Sequence, residues 1–232
     1  MTTSHSHRHF RTRRPRHQNA LLPGAFELPF ACFYSYSPRG DTVVSRRSRL
    51  LCGRVKEGRS AWLKSYSLPV SLELNQNQSF GGFVSRGCVL VPVPESEPSS
   101  GRSRWVASRI SSTLHELGLG REMWQGLQRL RPLARSTMAW RWERPTVEQH
   151  YQSLAVVARP DVPTDIVLVD DVVTKGRTLM AAALRLHQAY PGAAIRAFAL
   201  IRTMGFVTDV NRLFDPCVGR ILWDGRDARR EP

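Results

Sequence analysis

Apolar and polar positions along the chain fall into a repeating order of buried strand, polar loop and one-faced helix. The run Ile166 to Val169 is short, mostly β-branched and bounded by polar residues, as a strand covered on both faces of a parallel sheet would be. Leu179, Ala182, Ala183 and Leu186 then recur at helical spacing. The same order occurs earlier. Cys88 to Pro94 is an apolar strand ending in two prolines, Glu95 to Gly101 is a Ser/Pro/Gly loop, and Val106, Ile110, Leu114 and Leu117 line one helical face that stops at Gly118 or Gly120. Ile195–Ile201 supplies a further strand after the second helix. Two strand–helix units in series predict an α/β fold, a mostly parallel sheet flanked by helices.

The remaining segments are less regular. Phe30 to Tyr36 reads as an aromatic strand, and Ser37 to Gly40 as a turn. Ser45 to Lys64 is basic, with Leu50, Leu51, Val55 and Trp62 as anchors of at least one helix, and residues 75–82 form a polar loop. No internal repeat is visible. Residues 27–215 are expected to form one domain, between a disordered basic arm at 1–26 and a C-terminal tail at 216–232.

The chemistry concentrates where the Ile166–Val169 strand ends. Asp170 and Asp171 are adjacent there, and a short loop carries Thr174, Lys175, Gly176, Arg177 and Thr178 into the helix. Open α/β sheets bind ligands beyond the carboxyl ends of their strands. Paired carboxylates accept hydrogen bonds from vicinal hydroxyls and can hold Mg2+ directly or through water. Backbone N–H groups at a helix start suit a phosphate, and Gly176 lets the backbone approach it. Lys175 is one of only three lysines in the chain, so it is not compositional background. The alternative is a buried strand, an Asx turn and a helix cap with no ligand.

Charge and cysteine content narrow the classes. The 232-residue chain carries a net charge of +15, and its pI of about 11.0 favours anionic partners. Arg8, Arg11, Arg13, Arg14 and Arg16 lie in an acid-free N-terminal stretch, but the remainder is still strongly basic. A genomic preference for Arg over Lys explains that excess equally well. Cys32, Cys52, Cys88 and Cys217 include no Cys-x-x-Cys pair, which argues against a zinc ribbon or a disulfide framework. With no apolar run of spanning length, the expected setting is the cytoplasm, without a membrane partner. Between Arg121 and Tyr151, six arginines alternate with Trp124, Trp140 and Trp142. That mixture suits a hood over an acceptor base or a nucleic-acid surface, and equally suits core tryptophans beside solvated arginines. His150 is a candidate general base or a structural histidine.

The segment from Asp170 to Thr178 resembles the phosphoribosyl pyrophosphate signature of type I phosphoribosyltransferases, in which two acids close a strand and a Thr-x-Gly-x-Thr loop follows. The resemblance implies that Asp170 and Asp171 contact the ribose hydroxyls, with Mg2+ as cofactor, and that residues 174–178 wrap the 5′-phosphate. Lys175 departs from the pattern, which usually has a small or hydroxyl residue there. The strand ending in Pro92 and Pro94, the Arg144 to Leu154 segment and, weakly, the Leu51 to Lys56 segment are similar to the competence-associated, ComF-like branch. By that likeness Glu95 and Ser96 lie near the pyrophosphate, with Arg102 and Arg104 just beyond. Two features of the branch are missing, its N-terminal cysteine ribbon and its Arg-Gly-Phe-Asn element. The implied activity is Mg2+-dependent transfer of a ribosyl phosphate to a nitrogen acceptor. Alternatives are a non-catalytic nucleotide or metabolite sensor, a DNA-handling protein, and hydrolysis without an acceptor. Homo-oligomerisation stays open.

Overall fold

The computed structural model describes residues 22, 24–96, 105–133, 144–205 and 207–232. In chain order the elements are β1 (Phe26–Tyr36), α1 (Val43–Glu57), α2 (Ser60–Gln76), β2 (Val89–Pro92), α3 (Val106–Glu116), β3 (Glu122–Met123), β4 (Leu127–Arg129), α4 (Val147–Gln152), β5 (Leu154–Val156), β6 (Asp165–Val173), α5 (Arg177–Ala189), β7 (Ala194–Thr203), β8 (Phe214–Trp223) and β9 (Ala228–Glu231). Seven strands form the main sheet in the order β3-β2-β6-β7-β1-β8-β9, and β4 with β5 makes a separate two-stranded ribbon. From β3 to β1 the neighbours are parallel, whereas β8 and β9 run antiparallel. The expected α/β class with a mostly parallel sheet and flanking helices is what the chain forms.

Alternation along the central strands builds two cores. Ile166 and Leu168 of β6 face one side, with α4 and α5; Val167 and Val169 face the other, with α1, α2 and α3. This two-sided burial explains why β6 is apolar at every position from 166 to 169. On the α5 side Ala181, Ala182 and Ala183 are fully buried between the larger Leu179, Met180, Leu184 and Leu186. Small residues let the helix lie close to the sheet.

The helices end where backbone chemistry stops them. Thr42 caps α1 by accepting from the Ser45 N–H at 3.1 Å, and Gly58 closes it in the left-handed region at φ 66°. That glycine divides the basic 45–64 stretch into two helices. α2 continues through Pro69 to Gln76, and a 3-10 turn occupies Gln78–Phe80, so the polar loop expected at 75–82 is partly helical. α3 stops at Gly118, as its pattern predicts.

The C-terminal segment is not a tail. β8 pairs with β1 from Phe26↔Trp223 to Tyr34↔Phe214, and β9 pairs with β8. Ile221, Trp223 and Ala228 are buried by this addition. The domain boundary expected at 215 therefore falls inside a strand that covers the β1 edge. The arm expected at 1–26 lies almost wholly outside the described residues, and β1 begins at Phe26.

Candidate functional site

The connections diverge between β2 and β6. From β2 the chain passes through α3 to the outer strand β3; from β6 it passes through α5 on the opposite face to β7. Such a reversal leaves a crevice beyond the strand ends, the usual ligand position in open α/β sheets. Pro92 is in register with Val169, and the Val93 N–H donates to the Val169 carbonyl at 2.9 Å. The Glu95–Ser96 loop therefore begins beside the Asp170–Asp171 pair, which lies within β6 and not after it as the sequence pattern suggests: the strand continues to Val173 against β7, while its pairing with β2 stops at Val169.

Asp170 and Asp171 are both half-buried. Asp170 Oδ1 accepts from the Asp171 N–H at 2.9 Å, and Asp171 Oδ1 accepts from the Val172 N–H at 2.8 Å. Asp171 Oδ2 meets Lys56 Nζ from α1 at 3.2 Å. Burial first, and the neighbouring Asp171 charge second, push the Asp170 carboxyl well above the usual carboxylate range. Burial alone would lower the Lys56 ammonium, but Asp171 and Asp170 hold it above its ordinary value. The pair is thus a compact acidic site that retains a proton or attracts a cation.

Beyond Val173 the chain turns through Thr174 and Lys175, both exposed, to Gly176, the residue that starts α5 at φ 83°. The first turn of α5 contains no acidic residue. Its leading N–H groups have no acceptor within the helix, and the helix dipole is positive there. Thr174 Oγ1 lies 3.1 Å from Thr203 Oγ1 at the end of β7. A Cβ on Gly176 would stand 2.5 Å from Ile221 Cδ1, so the glycine is required by its φ and by its contact with β8. Gly176→Ala is expected to cost about 1–2 kcal/mol from the left-handed backbone, with further crowding against Ile221. Chemical denaturation of the two proteins measures this; an equal midpoint would mean that the loop relaxes without cost.

The two cations of the loop are engaged by the chain itself. Arg177 makes a two-pronged contact with Asp227 at 2.6 and 2.7 Å, and Lys175 Nζ lies 3.2 Å from the same carboxylate. Burial works against ionisation of Asp227, but the Arg177 and Lys175 hydrogen bonds bring its carboxyl down to about 2. The expectation that both cations wrap a phosphate needs this qualification: they share the Asp227 carboxylate of the β8–β9 turn, which offsets one of their two charges. The backbone at 174–178 and the Thr174 and Thr178 hydroxyls have no such carboxylate partner.

His150 and Arg129 were the least legible parts of the crevice. Thr146 and Gln149 form a reciprocal capping box at the start of α4, which is the physical basis of that Thr-x-x-Gln pattern. The helix carries His150 inward, and its Nε2 lies 3.5 Å from Thr178 Oγ1. Burial, with Arg129 and Arg177 nearby, pushes the imidazole down to about 4, so it is neutral at pH 7. Arg129 is buried and donates to the carbonyls of Glu95 at 2.8 Å and Pro94 at 3.2 Å, and to Ser153 Oγ at 2.5 Å. It therefore fixes the loop after β2 through its backbone. The sequence marks Arg129 only as one of the six arginines between Arg121 and Tyr151; its burial against loop carbonyls makes it neither a solvated arginine nor part of an exposed surface.

Other expected features sort differently. Trp124 is covered by Arg159, 4.9 Å from its ring centroid, and packs edge-on against Tyr190. This is packing within the chain. Arg121 pairs with Glu122, and Arg131 donates to Gln152. Trp140, Trp142, Arg102, Arg104, Arg135 and Arg141 lie outside the described residues. Among the described residues no group of three or more His, Cys, Asp or Glu side chains could hold a metal, and no helix is long and apolar enough to cross a membrane. No protein-family model and no curated protein matches the chain.

Proposed function

We propose that the crevice between β2 and β6 binds a ribose 5-phosphate group, as in a phosphoribosyltransferase-like protein, with phosphoribosyl pyrophosphate as donor. The observation that carries this reading is a carboxylate pair in β6 just beyond its pairing with β2, followed within a few residues by an acid-free helix start. The spacing suits a polyol at one end and a phosphate at the other. Asp170 and Asp171 would accept from the ribose hydroxyls, and the 174–178 backbone with Thr174 and Thr178 would receive the phosphate. Glu95 and Ser96, steadied by Arg129, border the leaving-group side.

The acid pair fits Mg2+. The proximity of Asp171, which raises the proton affinity of Asp170, is relieved by a dication, and Mg2+ commonly takes one or two carboxylates together with substrate phosphates. Asp170 and Asp171 would hold it directly or through water, and it would neutralise charge on a departing pyrophosphate. Transfer to a nitrogen acceptor breaks the ribosyl C1–O bond and develops positive character at the sugar. The chain would contribute orientation of the ribose by the acid pair and placement of the phosphate by the loop. His150, neutral and buried, would position the Thr178 hydroxyl rather than shuttle a proton to an acceptor.

Calorimetric titration with phosphoribosyl pyrophosphate, with and without Mg2+, tests the reading. Binding that strengthens with Mg2+ supports it; no heat at millimolar donor overturns it. A second reading is favoured by α1, whose Arg46, Arg47 and Arg54 are exposed beside Leu50. This basic face fits the phosphates of a nucleic acid. Such binding should weaken steeply as salt rises, independently of the crevice.

A further inference from the structure

The two cysteines nearest the β1–β8 seam face each other across the sheet. Cys32 of β1 and Cys217 of β8 are direct partners in the antiparallel register. Directly opposed residues in such a ladder have Cα atoms about 4.5–5.5 Å apart, within the separation that a disulfide spans. Both side chains lie on the same face of the sheet, against the core on the α5 side. The ladder becomes irregular immediately beyond this pair, between Cys32 and Tyr34, so a small closing movement disturbs few strand hydrogen bonds.

The two members differ in the way that a reactive and a resolving thiol must. Cys32 is fully buried in the core on the α5 side, whereas Cys217 is half-buried and reachable from solvent. Arg230 comes from β9, where it is paired in register with Ile221. Arg202 comes from β7, where it is held by Asp215. Both guanidinium groups act on the sulfurs. Interaction with the Cys32 thiol, followed by Arg202 and Arg230, draws the Cys217 thiol below its ordinary range against the opposing effects of burial and Asp215. The same interaction and burial push Cys32 well up. Cys52 and Cys88 are buried elsewhere, and burial raises each to about 11. They serve as internal references.

We propose that Cys217 and Cys32 form an oxidant-reactive dithiol that takes hydrogen peroxide and closes to a cross-strand disulfide. The Cys217 thiolate attacks one peroxide oxygen, forming an S–O bond while the O–O bond breaks and the second oxygen leaves as water after protonation. The Cys32 sulfur then attacks the Cys217 sulfenic acid, forming the S–S bond and releasing its oxygen as a second water. The two thiols together lose two electrons and two protons, and the peroxide gains them. This site lies apart from the Asp170–Asp171 crevice and does not depend on the ribose-phosphate reading.

The test exposes the folded full chain to hydrogen peroxide, blocks remaining thiols under denaturing conditions, and maps the peptides by mass. The expected product is a linked Cys32–Cys217 peptide lighter by two hydrogens, restored by dithiothreitol. Before oxidation, Cys217 should alkylate at least about tenfold faster than Cys52 and Cys88. In Cys32→Ser, oxidation of Cys217 should stop at a sulfenic acid that dimedone traps. Full oxidation of Cys217 without the linked peptide overturns the proposal, as does equal reactivity of all the thiols. The wild-type peptide map decides the matter even if the variant folds poorly.

Discussion

Asp171→Asn is expected to weaken binding of phosphoribosyl pyrophosphate with Mg2+ by about 10–100-fold while leaving the fold intact. The substitution keeps an oxygen that can accept from the Val172 N–H, so the last residues of β6 retain this local hydrogen bond. It removes the negative charge that meets Lys56 and, in the proposed site, a ribose hydroxyl or a cation. Hydrogen bonds to charged groups contribute about 1.5–3 kcal/mol, which sets the range. Calorimetry measures the binding, and a thermal melt in the absence of ligand measures the fold. Unchanged affinity would remove Asp171 from the site. A collapsed melting transition would mean that the Lys56 contact is structural first. Lys56→Met separates these outcomes, because it breaks the same ion pair and leaves both carboxylates for the cation.

The parts of this architecture that were legible in the sequence are those where one strand or helix carries its own signal. β6 and β2 are buried on both faces, so their apolar runs stand out, and the polar residues that follow mark the ligand end of the sheet. α3 and α5 show one-sided spacing and glycine boundaries. β8 carries a period of two, with Cys217, Gly219, Ile221 and Trp223 on one face, but Pro216, Gly219 and Arg220 interrupt its apolar character. Its assignment depends on β1 having a free edge, which is a property of the sheet and not of the segment. The same holds for the long-range partners. Lys56 reaches Asp171 from an element more than a hundred residues earlier, and Asp227 reaches Arg177 from the far hairpin. Arg129 is surrounded by carbonyls of a loop that no local pattern joins to it. Local spacing could therefore identify the acid pair and the loop but not the charges that balance them.

That balance has a measurable consequence for stability, because His150 and Asp170 are displaced in senses that oppose each other. The folded state holds His150 down at about 4 against an ordinary value near 6.5. Between those values the unfolded chain binds a proton that the folded chain refuses. The His150 contribution is therefore complete above about pH 6.5 and is lost as pH falls to about 4. At about 1.4 kcal/mol per pH unit, the loss amounts to about 3 kcal/mol. Asp170 works the other way. Burial and Asp171 raise its carboxyl, so the folded chain retains a proton that the unfolded chain has released, and stability falls as pH rises. In the wild type these slopes offset each other between about pH 4 and 7. His150→Gln should expose the Asp170 slope, with stability declining toward pH 7. Asp170→Asn, which mimics the protonated carboxyl, should expose the His150 slope, with stability increasing toward pH 7. Urea denaturation of the three proteins across this range tests the pair. Parallel profiles would mean that neither group is held out of its ordinary range in the folded chain. Divergence of only one variant would assign the displacement to that residue alone and leave the other titrating in its ordinary range in the folded chain.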